Sequence, residues 1–179
     1  MYLYYCNPHS QKNIRRGKAS EKPHWGAGGS MKKLEALVVG FRNAIELAKE
    51  NNEPGYFFRE FPTGQCGHAS DMLAQFLIDN GIASIRYING TYYSEDGSVR
   101  QAHTWLVVNG VIIDITSDQF RYHAAPLTNN IPVYLGPMNE YYQLFDTTYG
   151  SNHEHFGLER TWYNYHELKV WYETIISYM

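Results

Sequence analysis

Cysteine is scarce in this chain, with two residues, Cys6 and Cys66, in 179. That is too few for a disulfide scaffold and fits a reducing compartment. Long apolar runs are missing as well, and no stretch approaches the ~20 residues that a membrane-crossing helix needs. The opening Met1-Tyr2-Leu3-Tyr4-Tyr5 is too short and too aromatic for the apolar region of a signal peptide, so a cytoplasmic location is expected. Positive charge is not in excess. Fifteen Lys and Arg stand against 18 Asp and Glu, a formal net charge of -3 that argues against a nucleic-acid partner. The basic run Lys12 to Lys18 is read as a solvated stretch. No internal repeat or low-complexity tract is present.

What is there is ordinary globular composition, 44% hydrophobic and 18% charged, in a length that suits one domain with a real core. Residues 1–30 show no periodicity and end in Gly26-Ala27-Gly28-Gly29-Ser30, which reads as a flexible or loosely packed arm. The rest, 31–179, is expected to form a single domain. Leu34, Leu37, Val38, Phe41, Ile45 and Ala48 fall on one helical stripe, closed by Glu53-Pro54-Gly55. Ala69, Met72, Leu73, Phe76 and Leu77 repeat the pattern and stop at Asn80-Gly81. A strand is expected from about Ile82 to Tyr93, then a turn at Glu95-Asp96-Gly97, a hairpin, and another strand near Ile131–Leu135. Leu168, Trp171, Tyr172, Ile175 and Ile176 have helical spacing, although their β-branched members weaken it. Helices followed by antiparallel strands imply an α+β fold.

Cys66 lies in Phe61-Pro62-Thr63-Gly64-Gln65-Cys66-Gly67, where the second helical pattern begins. With Thr63 as N-cap, Cys66 falls in the first turn, where unpaired N–H groups and the helix dipole favour an anion. Such a site lowers a thiol's pKa. The same N–H groups, that of Cys66 included, suit an oxyanion. Gly64 and Gly67 leave room for a substrate backbone, and Gln65 is a candidate side-chain donor.

The hairpin supplies the partners. Asn-Gly between apolar runs favours a two-residue type I′ turn. With Asn109-Gly110 as the loop, Val108 pairs with Val111, Val107 with Ile112 and Leu106 with Ile113. One face then carries Thr104, Leu106, Val108, Val111, Ile113 and Ile115 and should be core. The other carries His103, Trp105, Val107, Ile112, Asp114 and Thr116. His103 and Asp114 become diagonal neighbours with backbones roughly 7–8 Å apart, which side chains can close to a hydrogen bond. A slip of one residue would separate them onto opposite faces. Asp118 is the other diagonal neighbour of His103, and hairpin arithmetic does not choose between the two carboxylates.

A thiol at a helix start, an imidazole on a strand and a carboxylate on the next strand are the components of thiol-based acyl transfer. Singly, a Cys is most often a small buried hydrophobe and a His a satisfied core residue; the ordered set carries the reading. It resembles the transglutaminase-like branch of the papain-like cysteine enzymes over about residues 60–120. Gly64-Gln65-Cys66 is similar to that family's Gly-Gln-Cys entry into the catalytic helix. Leu73 to Gly81, Ile82-Ala83-Ser84-Ile85-Arg86 and Gly90 resemble its helix, turn and first core strand. His103-Thr104-Trp105 resembles His-Ala-Trp, and Asp114-Ile115-Thr116 resembles Asp-Pro-Thr. The last match favours Asp114 over Asp118. The resemblance implies a catalytic helix packed on an antiparallel sheet and a catalytic triad of Cys66, His103 and Asp114. Gly67 stands where transglutaminases have an aromatic, Ile115 replaces the proline, and the chain is far smaller than the animal enzymes, which counts against cross-linking.

The expected function is a cysteine-dependent amide hydrolase or acyltransferase (peptidase, deamidase or transglutaminase-like) acting through a Cys66 thioester on a peptide or protein substrate. No cofactor, metal, nucleic acid or membrane is expected. Hydrolysis is favoured, because a small open site has no evident means of excluding water. The alternative is a non-catalytic module that keeps the fold and binds a peptide or protein. His153-Glu154-His155 offers alternating ligands on an expected loop but no complete metal set, and solvation is the better reading. His68 and Asp71 neighbour Cys66, and His68 would have to fold back over its own helix to act as a base. The sixteen tyrosines are read first as core packing with exposed hydroxyls, and second as a peptide groove.

Overall fold

The computed structural model describes residues 29–161 and 165–179. Nearly all of the arm assigned to 1–30 lies outside these residues, as do Cys6, the basic run and 162–164. Its last two residues belong to helix α1 (Gly29–Glu50), which starts earlier than the apolar stripe requires. Leu34, Val38, Phe41, Ile45 and Ala48 are fully buried along that stripe. Each of these side chains larger than alanine contributes about 1.5–3 kcal/mol on leaving water, which is why the stripe, rather than intrinsic propensity, sets the helix. The short α2 (Tyr56–Glu60) adds Phe57 and Phe58 to the same core. It leads into α3 (Cys66–Asp79), which buries Ala69, Met72, Leu73, Phe76 and Leu77 as its spacing predicts.

Five strands form one antiparallel sheet: β1 (Ile85–Tyr93), β2 (Arg100–Val108), β3 (Val111–Asp114), β4 (Tyr134–Gly136) and β5 (Asn152–Glu154), in the spatial order β4-β3-β2-β1-β5. The β2–β3 register is the one that the Asn109-Gly110 turn dictates, Leu106 with Ile113, Val107 with Ile112 and Val108 with Val111. Both turn residues have positive φ, 50° and 79°, as a type I′ turn demands. The first strand begins at Ile85 rather than Ile82, because Ser84 has a positive φ that interrupts the extended run. The edge strand near 131–135 falls at 134–136. Strand β5 replaces the loop expected around residue 153, pairing Arg86 with Glu154 and Ile88 with Asn152.

Helix α3 packs on β2 and β1, and α5 (Tyr165–Ile176) packs on α1. Burial of Leu168, Trp171 and Ile175 in that contact overrides the modest helix propensity of its β-branched residues. The sheet face bearing Leu106, Val108, Ile113 and Ile115 joins these helices in the main core. The opposite face is sealed by a second, smaller cluster in which Ile88, Trp105 and Ile112 meet Phe120, Leu127, Tyr142 and Phe145. A four-residue helix α4 (Glu140–Gln143), N-capped by the Asn139 side chain, supplies Tyr142. The whole is an α+β arrangement of helices on an antiparallel sheet. Among the described residues no helix is long and apolar enough to cross a membrane.

Candidate active site

The N-cap of α3 is Gln65 rather than Thr63, so Cys66 is the first helical residue. Thr63 and Gln65 donate their N–H groups back to Glu60 and Pro62, and Gly64 takes a φ of 68°, so the chain makes a tight turn before the helix can start. No side chain caps this end. The first-turn N–H groups and the positive end of the dipole are therefore left without a side-chain partner where the half-buried Cys66 begins the helix.

His103, on β2, is fully buried, and its Nε2 lies 2.6 Å from Asp114 Oδ2 at the end of β3. The carboxylate is held from three further directions. Thr116 donates its N–H to Oδ1 at 2.8 Å and its hydroxyl at 3.2 Å, and the Tyr142 hydroxyl donates to Oδ2 at 2.9 Å. The imidazole ring is boxed by Phe120, Phe145 and Trp105, at centroid distances of 5.2, 5.4 and 5.7 Å. Gly90, opposite His103 on β1, makes room for this box, since a Cβ there would come within 2.8 Å of Phe145 Cβ.

The charges in this box set one another's protonation. Burial pushes the Asp114 carboxyl up, but the charge of His103 and the hydrogen bonds outweigh it and hold the group below the ordinary carboxylate range. Burial alone would lower His103; the adjoining Asp114 reverses this and, with Cys66, raises it to about 10. Burial likewise raises the Cys66 thiol, and the hydrogen bond and charge of His103, with Gln119 and Thr104, bring it below its usual value. A thiolate–imidazolium pair follows from these directions. With Nε2 committed to Asp114, Nδ1 is the imidazole nitrogen that serves the thiol.

The hairpin left two carboxylates, and they have different partners. Asp118 is buried in a 3-10 turn (Ser117–Phe120) and takes a two-point grip from Arg42 on α1, at 2.9 and 3.0 Å, with Arg121 at 2.6 Å. Asp114 has the histidine. Gln65 is buried with its Oε1 3.0 Å from His68 Nδ1, so its side-chain oxygen is taken up along its own helix. His68 is held by that contact and by the edge of Trp171, 5.6 Å away, which removes it as a base for Cys66.

His155 is not solvated. It is buried against α3, with Nε2 3.1 Å from Asp71 Oδ1 and Nδ1 accepting from the Gly157 N–H. His153 and Glu154 are exposed on β5, and among the described residues no three acidic, His or Cys side chains are placed to hold a metal ion. Tyr142 departs from the expected pattern of exposed hydroxyls, since its hydroxyl points inward to Asp114.

Two polar side chains to which the sequence reading gave no catalytic role reach His103 and Asp114. Tyr142 is one and Gln119 the other, with Nε2 2.7 Å from His103 Nδ1 and Oε1 accepting from the Gly64 N–H at 3.2 Å. Gln119 also borders a polar cleft of about 470 Å³ that opens between α1, α2 and the 3-10 turn, with Thr63 and Arg121 on its rim. No protein-family model, curated protein or solved structure matches this chain.

Proposed function

We propose that the chain is a cysteine-dependent amide hydrolase or acyltransferase with Cys66 as nucleophile, His103 as acid and base, and Asp114 as the group that orients His103. The observation that carries the reading is the buried 2.6 Å His103–Asp114 contact, which leaves Nδ1 for a thiol at an uncapped helix start. The thiolate attacks the acyl carbon, and the carbonyl π pair moves to oxygen, toward the Cys66 N–H. Collapse breaks the carbon–nitrogen bond, and the departing amine takes the proton from His103 Nδ1. Water, deprotonated by the same nitrogen, then releases the acid from the thioester. Water is the favoured acceptor, since so small a domain offers no evident means of excluding it from the thioester.

The transglutaminase-like branch of the papain-like enzymes is the relationship that suits this order of residues. Where transglutaminases carry an aromatic after the cysteine, the space beside Gly67 is narrow. The Tyr87 hydroxyl would lie 3.2 Å from a Cβ built on Gly67, so a larger side chain would have to displace it. Peptide or protein amides are the proposed substrates.

Iodoacetamide labelling across pH 5–9 tests the reading. Cys66 should react well below the pH at which a thiol of pKa about 8.5 does, and Cys66→Ala should abolish labelling at that site and all turnover while the protein stays folded. Cys6→Ala should change neither. Activity that depends on Cys6 and survives Cys66→Ala would refute the assignment.

A further inference from the structure

Gln119 joins two parts of the site that are far apart in sequence. Its Oε1 accepts from the Gly64 N–H at 3.2 Å, on the turn that leads into α3, while its Nε2 faces His103 Nδ1 at 2.7 Å. The first contact fixes the amide's orientation. Turned over, the amide would set its NH2 against the Gly64 N–H, donor against donor. The backbone beneath it is fixed as well, because the neighbouring Asp118 is gripped by Arg42. A hydrogen-bond donor is thus held in place beside His103, and Gln119 is among the groups that lower the Cys66 thiol.

What this donor does depends on where the proton is. While Nδ1 is bare, it accepts from Gln119. In the resting thiolate–imidazolium pair Nδ1 carries the thiol proton and is itself a donor, so the Gln119 N–H has no acceptor there and is left for negative charge nearby.

We propose that Gln119 is a catalytic residue, the side-chain donor of an oxyanion site whose second donor is the Cys66 backbone N–H. This rests on the thioester reading given above. As the sulfur's electron pair forms the bond to the acyl carbon, the carbonyl π pair moves to oxygen, and the Gln119 N–H released from Nδ1 turns to that oxygen. When the oxygen pair re-forms the carbonyl, the bond to the leaving group breaks. A departing amine then takes the Nδ1 proton, and the Gln119 N–H returns to the bare nitrogen.

Two small reagents separate this role from general support of the thiol. Alkylation by iodoacetamide needs the thiolate but passes through no oxyanion; acylation by p-nitrophenyl acetate needs both. Rates of Cys66 modification would be read by intact mass for the wild type, Gln119→Glu and Gln119→Ala at one pH. Gln119→Glu keeps the acceptor for the Gly64 N–H and removes the donor. It should acylate about 10²–10³-fold more slowly, the cost of one lost oxyanion donor, while alkylation, which loses only the share of the thiol lowering that Gln119 supplies beside His103, falls far less. Gln119→Ala should show the same split, which keeps the test readable should the added carboxylate disturb folding. Acylation and alkylation falling by the same factor, or neither falling, would overturn the proposal and leave Cys66 as nucleophile intact. A wild-type Cys66 that reacts with neither reagent below the ordinary thiol range would overturn the thioester reading and this proposal with it.

Discussion

Asp114 and Asp118 are buried carboxylates within five residues of chain, and each is bound to a cation. Asp114 faces an imidazole, whose charge depends on pH, and adds hydrogen bonds from Thr116 and Tyr142. Asp118 faces Arg42, whose charge is permanent, and ties a 3-10 turn to α1. Arg42 also donates to the carbonyls of Ile115, at 2.5 Å, and Pro132, at 3.2 Å, and lies 4.6 Å from the Phe61 ring centroid. Asp118, although buried, raises the Arg42 pKa further still, against the effect of burial. One pair can pass a proton and the other cannot. The same residue type therefore does two kinds of work, decided by the partner.

Asp114→Asn tests this contrast most severely. It should fold yet lose about 10²–10⁴ in turnover, because an amide there favours the wrong imidazole tautomer. Turnover close to wild type in folded Asp114→Asn would erase the distinction. Asp118→Asn should do the reverse. Arg42 would keep only its i,i+4 carboxylate partner Glu46, so the cost should approach but not reach the about 3–5 kcal/mol of an unpaired buried charge, read by urea unfolding, with far less effect on turnover per folded molecule. If Asp118→Asn were stable and inactive, the orienting carboxylate would have to be moved to it.

The pH response sharpens the comparison. His103 has a folded pKa raised to about 10, so between the unfolded value near 6.5 and that value the native state holds a proton that the unfolded chain lacks. Its contribution to stability is fully present below about pH 6.5 and is lost as pH climbs through the folded value. Asp114, held low, contributes above the ordinary carboxylate range and loses that contribution as pH falls through its depressed value. The stability difference between wild type and His103→Gln should therefore shrink from pH 7 to pH 10 in urea titrations. The Arg42–Asp118 pair should add no such slope in that window, since guanidinium does not deprotonate there. A His103→Gln difference that stays flat from pH 7 to 10 would count against the charged imidazole. The smallest effect belongs to Tyr142→Phe, which removes one donor to a charged carboxylate. Such a bond is worth about 1.5–3 kcal/mol at most, and its loss should slow Cys66 alkylation near neutral pH by about tenfold or less; no change would mean that Tyr142 only packs.

The parts legible in the sequence are those built from short-range rules. Asn109-Gly110 fixes the register through the φ values the turn demands, and the register brings His103 and Asp114 together. The stripes of α1 and α3 follow from spacing and from their stop signals. What escaped depends on distance along the chain. Arg42 and Asp118 are 76 residues apart, Tyr142 and Asp114 28, and Gln119 and Gly64 55, and no local pattern announces such contacts. The N-cap was misplaced by two residues because the turn through Gly64 delays the helix, although Cys66 remains in its first turn. Strand β5 went unseen because three exposed residues at a sheet edge carry no apolar alternation.

The lowered thiol of Cys66 has a consequence for how the protein can be followed as it folds. Most half-buried cysteines react faster once a chain opens, because unfolding exposes them. Here the groups that activate the sulfur, His103 above all, come from strands that the unfolded chain does not hold together. At pH 6 an unfolded chain presents a thiol of ordinary pKa with almost no thiolate. Labelling should therefore slow on denaturation, so that a short pulse of alkylating reagent counts native molecules and the appearance of reactivity times the final docking of helix and sheet.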